Sequence, residues 1–246
     1  MPYLCFMDIR SFFEYGHEEY LPHLSSDVVV IGYAEEKLKC LLLRIGARWL
    51  LPGGFIKLDE SVEEAASRIL TERTGLNDPH LKFLSVFGKS ERNFAEEWKE
   101  HLEKFGVSWK QDLWINKRFV SLAYYSLVNI PDTHPVTGPL DEAFGWFDLD
   151  ELPPMWMDHR DIALMARHKL RSDIRKDLVT HHLLPRHFTM PQLHQLHQVI
   201  LNKDLDRSRF QKQMLATGFF ERLPKLQKET RGRNPYQYRI KENKDH

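Results

Sequence analysis

Residues 26–147 contain several short apolar runs bounded by polar residues, a pattern that predicts more strands than helices. Residues 26–34, SDVVVIGYA, are rich in β-branched residues and are bounded by polar ones, which is typical of a strand. A turn at Glu35-Glu36-Lys37 leads into the next strand. By the same reasoning, strands are predicted at residues 26–34, 39–44, 81–87, 119–130 and 143–147. With helices between them, this order predicts an α+β domain, a mixed sheet covered by helices on both sides.

Two helices are predicted inside this region. One runs over residues 60–73 and stops at Gly75, because glycine adopts the left-handed conformation that commonly ends a helix. The other lies in an insertion, residues 89–116, where apolar residues recur three and four positions apart: Phe94, Trp98, Leu102 and Phe105. The insertion is expected to cover a ligand pocket, to contact a partner subunit or to have no part in binding. Residues 1–25 are an aromatic-rich extension, expected to form a helix over a sheet face or a dimer partner.

The pattern changes near residue 159. Residues 159–176 have the pattern of a helix and are expected to link the two parts. Thr189 is a good cap for a helix that runs to about Leu201. Asp206 caps a second helix, which stops at Gly218, and two short strands follow at 219–223 and 236–240. Helix, turn, basic helix and hairpin form the order of a small winged helix-turn-helix domain. In such a domain Phe210 and Met214 are predicted to face the core.

Composition adds a charge asymmetry to this two-part division. Residues 1–159 contain 16 Lys and Arg against 26 Asp and Glu, whereas residues 160–246 contain 19 against 9. A basic part attached to an acidic one is typical of nucleic-acid binding, although a solvated basic surface gives the same count. The chain holds two cysteines and no apolar run as long as a membrane span. This favours a cytoplasmic protein without a disulfide framework or a membrane segment.

The most specific motif lies at residues 54–76, GFIKLDESVEEAASRILTERTGL. It resembles the Nudix box, G-x5-E-x7-R-E-U-x-E-E-x-G-U, in which U is an aliphatic residue. Seven of the nine fixed positions match: Gly54, Glu60, Arg68, Leu70, Glu72, Gly75 and Leu76. The two remaining positions, which are carboxylates in the box, are Ile69 and Arg73.

Both replacements fall where the box binds a metal ion. Positions three and four apart share one face of a helix, so an intact box directs acids at positions 69, 72 and 73 toward Mg²⁺. Here those positions hold an isoleucine, a glutamate and an arginine, and the positive charge of Arg73 is expected to oppose cation binding. We therefore expect a domain that keeps the Nudix shape but has no catalytic residues and no metal.

A degenerate Nudix domain followed by a winged helix resembles the NrtR-type transcriptional regulators of bacteria and their arabinose-responsive relatives. The likeness covers residues 26–240 and includes FTMPQL at 188–193, LDRSRF at 205–210 and RGR at 231–233. The resemblance implies a homodimer that binds a palindromic operator of double-stranded DNA without a cofactor. It also implies a small-molecule effector in the Nudix domain, either ADP-ribose, a nucleotide sugar or a sugar. The expected division is an effector-sensing domain at residues 26–158 and a DNA-binding part at residues 159–246.

Candidate site residues follow from position and residue type. Exposed basic and amide side chains on the second helix and the hairpin loop are predicted to contact bases and phosphates. These residues are Arg207, Arg209, Gln211, Lys212, Lys228, Arg231 and Arg233. Residues of the box and arginines near the predicted strands are predicted to bind the effector, because they can hold phosphate or sugar hydroxyl groups. These residues are Arg44, Arg48, Gly54, Glu60, Glu72 and Arg118.

Two other functions remain open at this point. An active hydrolase of a nucleoside-diphosphate derivative would hold Mg²⁺ through Glu60, Glu64 and Glu72, with the basic domain as a tether or dimer element. A binding module without a role on DNA is the second alternative. Metal-dependent turnover of ADP-ribose distinguishes the hydrolase from the regulator, and sequence preference on DNA distinguishes the regulator from the binding module.

Overall fold

The computed structural model describes residues 9–76, 80–174, 179–225 and 234–241. Ten strands lie in this part of the chain, and seven of them form the larger sheet. These seven are β1 (Tyr20–Ala34), β2 (Lys37–Ile45), β3 (Arg48–Leu50), β4 (Gly53–Lys57), β5 (Leu81–Phe87), β6 (Val120–Leu127) and β7 (Ala143–Asp148). Their order is β3-β2-β1-β6-β5, with β4 paired to β1 and β7 paired to β2. β1 and β6 run parallel and the other pairs are antiparallel, so the sheet is mixed, as predicted.

Six helices of seven or more residues lie in the described part. They are α1 (Ile9–Tyr15), α2 (Val62–Thr74), α3 (Ala95–Lys104), α4 (His159–Asp173), α5 (Met190–Leu201) and α6 (Arg207–Ala216). None of the helices in these ranges is long and apolar enough to cross a membrane.

The first strand is longer than the sequence predicts. β1 begins at Tyr20, ahead of the predicted start at residue 26, and its first half pairs with β4 while its second half pairs with β2. The register against β4 shifts between Tyr20 and Ser25, and His23 inside this shift has a φ of 63°. This irregular, partly exposed stretch does not alternate strictly, which explains why the pattern of residues 20–25 does not predict a strand.

The box helix α2 is held at both ends by its own sequence. Ser61 and Glu64 form a reciprocal capping box, and Gly75 ends the helix with a φ of 70°. Its apolar face, Ala66, Ile69 and Leu70, is buried against the sheet. The predicted helix and its glycine stop are therefore confirmed.

The N-terminal helix and the insertion fold onto each other. α1 buries Phe13 in a cluster that contains Leu102 of α3 and Trp114 and Ile115 of the short turn Trp114–Asn116. The Trp114 indole donates a hydrogen bond to the carbonyl of Phe12 at 2.9 Å. The predicted insertion helix is confirmed as α3, although the side chain of Trp98 lies outside the described part. Two segments that look separate in sequence thus form one aromatic layer beside the sheet.

The C-terminal part is a winged helix. After β8 (Phe188–Thr189), α5 and α6 are followed by β9 (Phe220–Lys225) and β10 (Tyr236–Ile240), which form a sheet in the order β8-β10-β9. Thr189 caps α5 and Asp206 caps α6, as predicted. Phe210 is 6% exposed and Met214 packs against the same core.

Helix α4 connects the two parts of the chain. Near its start, Arg160 donates to the carbonyl of Leu152 at 3.0 Å, and near its end Arg171 donates to the carbonyl of Ile200 in α5 at 2.9 Å. The Asp173 carboxylate accepts a hydrogen bond from the Tyr125 hydroxyl of β6. One continuous apolar core runs from the sheet through α4 to the winged helix. The expected linker helix is therefore packed against both parts.

Candidate effector pocket and DNA-binding helix

A partly open pocket lies between the sheet and the insertion. It contains about 850 Å³ of space free of protein atoms, part of it open to solvent. Strands β1 to β4 form one part of its wall, and the insertion and the segment between it and β6 form another. The end of α2, the loop before β7 and the start of α4 complete it. Its ionisable lining residues are Asp27, Arg73, Arg92, Lys117, Asp141 and His159, and its aromatic ones are Phe55, Phe94 and Phe119. Charged groups beside ring faces suit a ligand that combines phosphate or sugar with a base.

A buried charge network forms the floor of this pocket. The Arg92 guanidinium donates to the Asp158 carboxylate at 2.9 Å and to the carbonyl of Phe119 at 2.9 Å. Its second terminal nitrogen lies 3.7 Å from Asp27, whose carboxylate accepts a hydrogen bond from the Ser121 hydroxyl. Asp158 immediately precedes α4. The network therefore connects the pocket wall on β1 to the start of the connecting helix.

His159, the first residue of α4, lies beside Asp27 of this network. Its Nδ1 accepts a hydrogen bond from the Leu51 backbone N–H at 2.9 Å. A ring nitrogen that accepts carries no proton, so Nε2 holds the proton of the neutral imidazole. Nε2 lies 3.8 Å from Asp27, within reach of a group that bridges the two.

Two residues of the box that match its pattern, Glu60 and Arg68, form an ion pair with each other. Arg68 donates to both carboxylate oxygens of Glu60, at 2.6 and 2.9 Å, and to the carbonyl of Phe55 at 3.0 Å. These hydrogen bonds from Arg68 lower the pKa of the Glu60 carboxyl. Glu72 lies 3.4 Å from the same guanidinium. The pair of Glu60 and Arg68 therefore joins the loop before α2 to the helix, and neither Glu60 nor Glu72 lines the pocket.

The two replaced box positions have structural partners of their own. Ile69 is 1% exposed and belongs to the core between α2 and the sheet. Arg73 donates to Asp141 at 2.6 Å, and the same carboxylate accepts from the Gly138 N–H at 2.8 Å. Arg73 thus faces a carboxylate, a partner that the sequence does not predict. The residues do not fit the Mg²⁺ of an intact box, and the described ranges contain no group of three or more His, Cys, Asp or Glu that could hold a metal.

Of the six residues predicted to bind the effector, only Gly54 lines this pocket. Arg44 lies over the Trp49 ring and 3.8 Å from Glu142, and Arg48 donates to Glu97 of the insertion at 3.3 Å. Arg118 is exposed and is not among the lining residues. The other five lie outside the lining of this pocket: Arg44 and Arg48 face acids, Glu60 and Glu72 face Arg68, and Arg118 is exposed, so their role in effector binding stays a prediction. Sequence reasoning missed Asp27, Arg92, Lys117, Asp141 and His159, which come together only through the fold.

The second helix of the winged domain exposes the predicted polar side chains. The Asp206 carboxylate accepts from the Arg209 N–H at 2.7 Å and so fixes the first turn of α6. Phe210 faces inward, and the residues around it, Arg207, Arg209, Gln211 and Lys212, are exposed. Of the predicted hairpin residues, Lys228, Arg231 and Arg233 lie outside the described residues. α6 therefore exposes three cations and an amide to solvent.

Comparison with known families accounts for both parts of the chain. The NUDIX domain model matches residues 22–167, more than half of the sequence. The chain belongs to the Nudix family. The model of the NrtR DNA-binding winged helix domain matches residues 180–240, so this Nudix protein carries a second, DNA-binding module. The predicted fold class and family are confirmed.

Individual relatives are similar to this chain over most of its length. An ADPR responsive transcriptional repressor NtrR of Acinetobacter baylyi is 24% identical over 209 residues, 81% of this chain and 75% of the relative. The crystal structure of Shewanella oneidensis NrtR complexed with a 27mer DNA is similar with a TM-score of 0.67 and 24% identity, covering 89% of this chain and 93% of that one. A MutT/nudix family protein from Enterococcus faecalis has a TM-score of 0.64 and 20% identity, covering 98% and 100%. These structures share the fold along nearly the whole chain.

Proposed function

We propose that this protein is a transcriptional regulator of bacteria that binds an operator through α6 and responds to ADP-ribose in the Nudix pocket. The proposal depends on one observation: a Nudix domain, whose box has Ile69 and Arg73 in place of two carboxylates, is joined through α4 to an NrtR-type winged helix. The name of the Acinetobacter relative supports both the effector and the repressor role. The lining supports a ligand with a base, sugars and phosphates, because rings and charges of both signs face the same space.

The regulator acts as a cytoplasmic homodimer on a palindromic operator. A winged helix reads only a few base pairs, so two copies placed about one helical turn of DNA apart are needed for specific binding. The effector controls DNA affinity through its different affinity for two dimer geometries.

The protein does not hydrolyse its effector. The alternative hydrolase needs Glu60, Glu64 and Glu72 around one Mg²⁺, but Glu60 binds Arg68 and Glu64 accepts from the Ser61 N–H in the helix cap. Ile69 supplies no oxygen ligand. Incubation of the protein with ADP-ribose and Mg²⁺ should give no turnover above the uncatalysed background. If turnover occurs and Glu72→Gln abolishes it, the chain is a hydrolase.

A gel-shift titration tests the central proposal. The full chain is titrated onto DNA from upstream of its own gene and onto a scrambled duplex, each with and without ADP-ribose. We expect tighter binding to the upstream DNA and a change in that affinity with ADP-ribose. Equal affinity for both duplexes at moderate salt would overturn the DNA-binding role, and an unchanged affinity with ADP-ribose would overturn the effector.

Substitutions on α6 are expected to weaken DNA binding in two different ways. Arg207 and Arg209 lie in the first turn, the end that enters the major groove in this class of motif. Replacing either with alanine should cost about 1–3 kcal/mol on the operator and little on scrambled DNA. Lys212→Ala should weaken both duplexes alike and reduce the salt dependence, since a phosphate contact carries no sequence information. Measurement of all three variants across a salt series decides between these roles, and a reversed pattern would contradict the orientation of α6.

The connecting helix gives the effector a path to DNA. α4 begins at the pocket with His159 and contacts α5 through the hydrogen bond from Arg171 to Ile200. Arg171→Met should leave ADP-ribose affinity unchanged and reduce the effect of ADP-ribose on operator affinity by about three- to tenfold. Arg167→Met is the matched control, because this arginine lies on the same helix and pairs with Asp150 of the Nudix part. Equal responses in both variants would contradict the path through Arg171.

A further inference from the structure

The charges that line the pocket are nearly all compensated inside the protein. Arg73 pairs with Asp141 at 2.6 Å, and Arg92 binds Asp158 at 2.9 Å with Asp27 at 3.7 Å. His159 accepts a hydrogen bond from a backbone N–H and is neutral. The attraction of these groups for an anionic ligand is therefore weak, because neighbouring carboxylates already neutralise the two arginines.

Lys117 is the exception within the described part of the chain. It lines the pocket, its side chain is exposed, and its Nζ has one long hydrogen bond, 3.5 Å to the carbonyl of Gln111. No ion pair joins it to a carboxylate in the ranges that the structure covers. Its positive charge is therefore available to an anion that enters the pocket.

The backbone at Lys117 is held in place although its ammonium group is exposed. The preceding turn, Trp114–Asn116, is buried, and the Lys117 N–H donates to the carbonyl of Trp114 at 3.3 Å. The Trp114 indole is bonded to the N-terminal helix, and the Asn116 amide donates to the carbonyl of Lys110 at 2.6 Å. A buried, hydrogen-bonded turn thus presents one lysine to the pocket, which reduces the entropy lost when a ligand binds it.

The altered box leaves the pocket without the metal ion that would face a phosphate. With an intact box, a metal ion neutralises the phosphate oxygens of the ligand. In this chain Ile69 is buried in the core and Arg73 is already paired, so neither a metal nor Arg73 fully supplies that charge.

We infer that Lys117 is the residue that binds the diphosphate of the effector and that it replaces the metal ion of a Nudix hydrolase. This inference rests on the proposed function. It assigns a binding role to the residue that directly follows the insertion, since Lys117 lines the pocket together with Phe94 and Phe119. Effector binding is consequently independent of Mg²⁺ and decreases with ionic strength.

Calorimetric titration of the full chain with ADP-ribose tests this role. Lys117→Met should raise the Kd about tenfold, the usual scale for a lost charge-assisted hydrogen bond at an accessible site. The salt dependence of the Kd should become weaker in the same variant. Lys117→Arg should restore most of the affinity, and wild-type binding should be equal in EDTA and in Mg²⁺. Lys104→Met removes the same charge from an exposed position of the insertion and should bind like the wild type.

The outcomes separate this inference from the proposed function. Absence of ADP-ribose binding in the wild type would overturn the effector assignment itself. Binding by the wild type with an unchanged Kd in Lys117→Met would overturn the inference alone. A requirement for Mg²⁺, or a loss of affinity that Lys117→Arg does not restore, would also overturn it. Thermal melting of each variant verifies that an affinity loss does not reflect unfolding.

Discussion

Phe210→Ala should destabilise the winged helix by about 3–5 kcal/mol and abolish operator binding, the largest effect expected of a single substitution in α6. Phe210 is 6% exposed, and its ring lies against the rings of His194 and His197 at 5.1 and 4.9 Å. It is the buried residue of α6, so the helix depends on it for its position on α5. Truncation leaves a cavity at this contact and frees α6 from its fixed orientation.

Leu215→Ala provides the matched comparison. Leu215 belongs to the same helix and is 41% exposed, so its truncation should change stability by less than about 0.5 kcal/mol. Circular-dichroism melting and operator titration of both variants give the measurement. Operator binding by Phe210→Ala at wild-type affinity would show that α6 is held by contacts other than this ring.

Ile69→Glu, which restores a carboxylate of the box, should destabilise the chain by about 3–5 kcal/mol without creating a metal site. Ile69 is 1% exposed and packs in a cluster with Val28, Val30 and Leu70. A glutamate at this position loses the burial of the isoleucine side chain. It also places a carboxylate among the apolar side chains of this cluster. The variant should melt at a lower temperature, and Mg²⁺ should not restore it.

Ile69→Val is the corresponding mild change. It deletes one methylene from the same site and should cost about 0.5–1.5 kcal/mol. Melting curves of both variants with and without saturating Mg²⁺ provide the test. Recovery of the Ile69→Glu melting temperature in Mg²⁺ would show that the metal site of the family is still latent in this chain.

The sequence predicts the elements of this fold well because most of them carry local signals. α2, α5 and α6 each begin at a capping side chain, and the strand at 81–87 has the bounds that its pattern indicates. Local signals fail at β1, where residues 20–25 pair irregularly with β4, so the extra length of the strand depends on tertiary contacts.

The pocket was largely unpredictable for the same physical reason. Asp27 and Arg92 are far apart in sequence, and both are buried, a state that composition and spacing do not reveal. Arginines near strand ends look like ligand-binding residues, yet Arg48 pairs with Glu97 of the insertion. Asp141 is equally hidden, because its partner Arg73 looks from sequence like a charge directed at a ligand. Ion pairs across long loops decide which charges remain available, and only the folded chain determines them.

The apolar core that α4 shares with both parts has a thermodynamic consequence. Because residues of β1, α4 and α5 belong to one cluster, the sensing and DNA-binding parts lose their packing together when either one unfolds. A molecule that binds the folded pocket then raises the unfolding temperature of the winged helix as well, by mass action alone. The unfolding temperature measured at α6 therefore depends on whether the pocket in the Nudix part is occupied. The winged helix, cut free from α4, would expose part of its own core to water.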